Sequence, residues 1–155
     1  MYANNETGII QPIKEIGSIA KENNIPFFCN ATQAVGKIKV DVLENNIDLL
    51  CFSTHKLNAP KGVGVLYKNK NIVLTPLFHG GGQENGLRAG TYNTPLIIGI
   101  GKACEIAINE FQENSNLIET KSKLLIQELL EKRNKMFIES KIKKSIKSAI
   151  KQINL

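Results

Sequence analysis

The chain has 155 residues, 42% of them hydrophobic, and carries 20 Lys/Arg against 14 Asp/Glu for a net charge of +6. That length suffices for one domain with a real core, and no apolar run approaches the roughly 18–20 residues that a membrane-spanning helix needs. The start, Met1-Tyr2-Ala3-Asn4-Asn5-Glu6, lacks the basic and apolar regions of a signal peptide, so a cytoplasmic location is expected; three widely spaced cysteines, Cys29, Cys51 and Cys104, indicate neither a disulfide framework nor a zinc site.

Pro12 followed by Ile13, Ile16, Ile19 and Ala20 predicts a helix with proline near its first turn, ended by Asn23-Asn24. Ile25-Pro26-Phe27-Phe28-Cys29 reads as a short buried strand, and Ala31 to Gly36 as a turn or short helix. Val40 to Asn46 reads as another helical turn, and Asp48 to Phe52 as the next buried strand. Gly62-Val63-Gly64-Val65-Leu66-Tyr67 predicts a returning strand, Lys68-Asn69-Lys70-Asn71 its turn, and Ile72-Val73-Leu74 a further short strand. A glycine-rich loop from His79 to Thr91 follows. A long helical pattern begins at Pro95, with a kink expected at Asn114-Ser115-Asn116. Short apolar strands alternating with helices imply an α/β layered domain.

The tail changes character. Residues 1–120 hold 10 Lys/Arg and 11 Asp/Glu, whereas residues 121–155 hold 10 and 3, so the basic charge belongs to the end of the chain. There Ile142, Ile146 and Ile150 recur every four residues as one stripe on a basic helix. A solvated helical face is the commonest meaning of such a run. Without aromatic interleaving or a nucleic-acid motif, nucleic acid is not expected as a partner.

Lys56 is the most informative residue. It lies in Ser53-Thr54-His55-Lys56-Leu57-Asn58-Ala59-Pro60-Lys61-Gly62, just after a buried strand. A strand that ends in polar residues and a lysine, then breaks on Pro and Gly, delivers an amine to the edge of a sheet. That is where a Schiff-base lysine for an aldehyde cofactor belongs, and a half-buried place beside a second cationic group would help it shed its proton. Most lysines after strands are solvated loop residues, so the context decides. Three further polar clusters stand at strand ends or in glycine loops: Asn4-Asn5-Glu6-Thr7-Gly8, Asn30-Ala31-Thr32-Gln33 and Arg88-Ala89-Gly90-Thr91. Ligands of open α/β sheets bind beyond the carboxyl ends of strands, so the four clusters suggest one shared site.

Taken in order, N-N-E-T-G, A-T-Q-A-V-G-K, F-S-T-H-K-x-x-x-P-K-G-x-G and G-G-G-Q-E-x-G-x-R-A-G-T resemble the central part of a cysteine desulfurase of the NifS/IscS type. These belong to the class V aminotransferases, which use pyridoxal phosphate. The resemblance spans residues 1 to about 110. It implies part of the large domain of a pyridoxal-phosphate-dependent transferase over residues 1–95. A long connecting helix over 96–131 and a basic tail over 132–155 that does not follow the family would come after it. It implies that Lys56 carries the cofactor, that Ser53, Thr54 and His55 grip its phosphate, and that Asn5 and Gln33 reach its phenolic oxygen. Thr91 would reach the phosphate of a neighbouring subunit, which implies a homodimer. No metal is implied. The family reaction converts L-cysteine to L-alanine and an enzyme persulfide, which passes to sulfur-acceptor or iron–sulfur scaffold proteins.

The sequence also departs from the family. Asn30 stands where the family has an aspartate paired with the protonated ring nitrogen. Ala59 stands where glycine is usual. The chain is expected to be a fragment, none of whose three cysteines matches the persulfide-forming one. The alternatives are an inactive remnant or dimer-surface binding module, or another class V member such as a selenocysteine lyase.

Overall fold

The computed structural model describes the backbone of residues 1–153 and the side chains of residues 1–144. The chain divides into two compact units, Met1–Phe111 and Gln112–Leu155. In the first, helix α1 spans Ile13–Glu22 and buries Ile13 and Gly17. Pro12 precedes it, and Asn23 closes it through its backbone N–H and its amide, both donated to the Ile19 carbonyl. Gly17 is required there because a Cβ would run into the backbone carbonyl of Asn45.

The sheet has three strands in the order β1 (Phe28–Asn30), β2 (Leu49–Ser53) and β3 (Gly64–Lys68). β1 and β2 are parallel with Asn30 beside Cys51; β2 and β3 are antiparallel with Ser53 beside Gly64. The Asp48 carboxylate joins the amino ends of β1 and β2 to the carboxyl end of β3, accepting hydrogen bonds from the Phe27 N–H at 3.0 Å and the Asn69 amide at 3.2 Å. The parallel crossover between β1 and β2 is made of turns. One is built on Asp41, whose carboxylate accepts from the N–H groups of Leu43 and Glu44 at 2.9 Å each. The further short strand expected at Ile72–Leu74 is not a strand: Val73 is 93% exposed and Lys68 Nζ binds the Ile72 carbonyl at 2.7 Å, folding this stretch into a loop.

Two small apolar clusters hold this unit together. Tyr2, Ile13, Cys29, Ala31, Ala34, Ile47 and Leu50 pack beneath the sheet. Leu57, Ala59 and Ala103 join the loop after β2 to helix α2, Thr94–Asn109. All three cysteines are free; Cys29 is buried, and burial pushes its thiol pKa up, while Cys51 and Cys104 are only partly covered. The helical stretch breaks at Glu110, not at Asn114–Asn116, and α3 runs from Phe111 to Ile153 through the expected kink. Of the tail stripe, Ile142 is exposed, and the side chains of Ile146 and Ile150 lie outside the described residues.

Candidate functional site

Parallel β1 and β2 end side by side, which places Asn30 and Ser53 on the same edge. The ends are cross-linked. Thr32, two residues past Asn30, donates its backbone N–H to Asn30 Oδ1 at 3.0 Å, and its hydroxyl oxygen accepts the Ser53 N–H at 3.1 Å. The Ala31 N–H donates to the Cys51 carbonyl at 2.8 Å. These bonds satisfy backbone groups that leave the ladder at the strand ends.

After Ser53 the chain turns through a short 3₁₀ segment, Thr54–Leu57. With three residues per turn, Thr54 and Leu57 face inward and the two residues between them face out. Thr54 is fully buried; its hydroxyl lies 3.2 Å from the Pro60 carbonyl and 3.0 Å from that of Val63, pinning the following loop. That side chain is committed to the fold, so Thr54 could offer a ligand only backbone. His55 and Lys56 are exposed. The half-buried amine expected from the sequence is therefore not what this chain builds, because the turn's geometry sends position 56 outward. Ser53 Oγ and His55 Nδ1 are 2.7 Å apart. With the ring proton on Nε2, the hydroxyl donates to Nδ1 and the Nε2–H is left for an anion. Asn58 ends the turn in the left-handed region at φ 61°, a conformation that asparagine tolerates; at Ala59 no positive φ occurs.

The other expected residues come from three segments. Gln33 is half-buried in the turn after Asn30, and its Oε1 accepts from Lys37 Nζ at 3.4 Å. Asn5 is exposed in a hairpin turn, where Asn4 Oδ1 accepts from the N–H groups of Glu6 and Thr7. The base of that hairpin is tied to the edge by the Tyr2 N–H, which donates to the Asn30 carbonyl at 2.8 Å. Thr91 is exposed between the glycine-rich loop and α2, and it takes no part in the bonds that tie the strand ends. In that loop Gln83 Oε1 accepts the Gly90 N–H at 3.1 Å, and Arg88 lies over the Phe78 ring at 5.3 Å. Asn30, Gln33, Ser53, His55 and Lys56 thus come from segments that meet at one edge. Thr91 belongs to another segment. Thr32 and Asn4 are residues that the sequence placed in the polar clusters without giving them a role. The signal for Thr32 was its place two residues after Asn30, the spacing of a side-chain turn.

A cavity of about 390 Å³ opens at the other end of the strands, lined by Lys21, Pro26, Leu43, Asn46, Asp48 and Ile72. Its two charged groups are already engaged, Lys21 with the Asn46 amide oxygen at 3.0 Å and Asp48 with the Phe27 N–H and the Asn69 amide.

Comparison with known proteins adds to this geometry. The family model for class-V aminotransferases matches residues 1–153. The mitosomal cysteine desulfurase of Trachipleistophora hominis is 53% identical over 127 residues, 81% of this chain and 29% of that protein. The cysteine desulfurase IscS of Methanosarcina thermophila is 52% identical over 126 residues, 81% of this chain and 31% of that protein. A solved NifS-like protein shares 41% identity at a TM-score of 0.80, covering 84% of this chain and 36% of that one. The chain spans about three-tenths of the length of the curated relatives it matches.

Proposed function

The chain belongs to the class-V aminotransferase family, and we propose on that premise that it forms part of the pyridoxal-phosphate site of a cysteine desulfurase. The observation that carries this reading is that the segments bearing Lys56, the Ser53–His55 pair and Asn30 leave the same carboxyl edge of two parallel strands. The donor set fits the group: a primary amine for the aldehyde, a linked hydroxyl–imidazole pair that presents one proton to a phosphate dianion, and neutral amides for the ring. When bound, the cofactor supplies an electron-withdrawing ring.

The chain's own residues do the holding. Lys56 attaches the aldehyde, and Ser53, His55 and the backbone at Thr54 orient the phosphate. Asn30 would hold the ring nitrogen, Gln33 and Asn5 would bind the phenolic oxygen, and Thr91 would serve the site of a second subunit in a homodimer. The reaction is conversion of L-cysteine to L-alanine, with sulfur passed to an enzyme thiol and then to acceptor or iron–sulfur scaffold proteins. Cys29 is too buried to be that thiol. The cytoplasmic location and the division at residues 95 and 131 belong to the same proposal. Among the described residues no helix is long and apolar enough to cross a membrane.

The test is direct. The purified chain mixed with pyridoxal phosphate should develop the yellow absorbance of a lysine-bound aldehyde, and borohydride should fix the cofactor on the peptide containing Lys56. Lys56→Ala should abolish both. Equal labelling of wild type and variant would overturn the assignment, and binding without sulfur release from cysteine would favour the inactive-remnant alternative.

A further inference from the structure

Asn30 closes β1, and its side chain is fixed in one sense by Thr32. The backbone N–H of Thr32 lies 3.0 Å from Asn30 Oδ1. A peptide N–H can only donate, so it is the oxygen of the amide, not the nitrogen, that faces the turn. The position of Thr32 is itself held from the other strand, through the bond from the Ser53 N–H to its hydroxyl oxygen. The amide cannot turn over without leaving that N–H unpaired. Asn30 is exposed, and its remaining polar group, the Nδ2 with two N–H donors, has no partner among the described residues. The edge therefore offers a ligand a neutral donor at this position.

Resting on the pyridoxal-phosphate reading of the site, we propose that the Asn30–Thr32 turn donates an N–H to the bound ring nitrogen and thereby holds that nitrogen unprotonated. An unprotonated pyridine nitrogen has a lone pair to accept the amide N–H. A protonated one would set two donors face to face. An aspartate in the same turn would spend one oxygen on Thr32 and aim the other, negatively charged, at the ring, which favours the opposite protonation state. The side chain at position 30 therefore sets how strongly the bound ring withdraws electrons, and the turn at Thr32 enforces its polarity. Asn30 is the residue in contact with the ring and Thr32 is a positioning residue.

The experiment uses pyridoxal phosphate labelled with nitrogen-15 in the ring, loaded on the full chain, with loading checked by borohydride capture on the Lys56 peptide. The ring-nitrogen resonance of the wild type should stay at the unprotonated position from mildly alkaline to mildly acidic pH. In Asn30→Asp it should move to the protonated position over the same range. In Asn30→Ala, which offers neither donor nor charge, it should titrate between the two. A residue that merely shaped the turn would leave the resonance alike in all three chains. A loaded wild type with a protonated ring nitrogen at neutral pH would overturn this proposal and leave the site assignment standing. A chain that shows no capture on Lys56 would overturn the site assignment and this proposal with it.

Discussion

Thr54 shows how one hydroxyl can hold the loop after a strand. It is wholly buried and stands between the Pro60 and Val63 carbonyls, so it fixes the return from Lys56 to β3. Thr54→Val keeps the shape but removes the one proton shared by the Pro60 and Val63 carbonyls, which costs about 0.5–1.5 kcal/mol. Urea unfolding should show the loss as a lower midpoint at unchanged slope, and a wild-type midpoint would contradict the role given to this hydroxyl. Gly36 makes the same point without a side chain. Its φ of +74° disfavours any Cβ, and a Cβ there would also strike Leu57 on the inner side of the lysine turn. The lysine itself was legible in the sequence, because a polar break after a buried strand is a local pattern. Its exposure was not, because the inward positions of a three-residue turn are decided by what Thr54 and Leu57 pack against.

At the scale of an element, the turn between β1 and β2 is held by charge. The Asp41 carboxyl sits below its ordinary pKa, first because the Glu44 backbone N–H donates to it, then through the Leu43 N–H and the Lys39 charge. Glu44 is also depressed, chiefly by its bond to Lys39 at 2.9 Å and then by Lys14. A depressed carboxyl contributes stability above its unfolded pKa and loses it as pH falls through the folded value. Acidification through the lower carboxylate range should therefore reduce the thermal midpoint. Glu44→Gln should flatten that dependence on its acid limb, since the neutral amide has no proton to take up. An unchanged acid limb in the variant would show that this turn contributes nothing to acid sensitivity. The pairs are exposed and screened by salt, so the effect should shrink at high ionic strength.

Across the whole molecule, the balance of apolar surface stands out. Leu43, Val73 and Leu77 are each at least 80% exposed, and Phe28, Leu66 and Phe78 are more than half exposed in the same unit. In the helical unit Ile118, Leu125, Leu129, Met136 and Phe137 are also mostly in water. Soluble monomers seldom leave this much apolar surface uncovered. Sedimentation velocity at rising concentration should show species heavier than the monomer, and a single monomer boundary at every concentration would contradict this. The proposed homodimer predicts a discrete end point to that series.

The sequence by itself determined the layer type: α1, β1, β2 and β3 arise from local apolar spacing, proline and glycine positions, and each is found within a few residues of its expected bounds, as is the start of α2. The lysine turn and its neighbours were readable for the same reason. Tertiary structure alone decided which polar groups share an edge, and that the Ser53 N–H holds Thr32 in place beside Asn30. Such outcomes depend on pairing between residues distant in sequence, where a backbone group takes whichever partner the fold brings within hydrogen-bond reach.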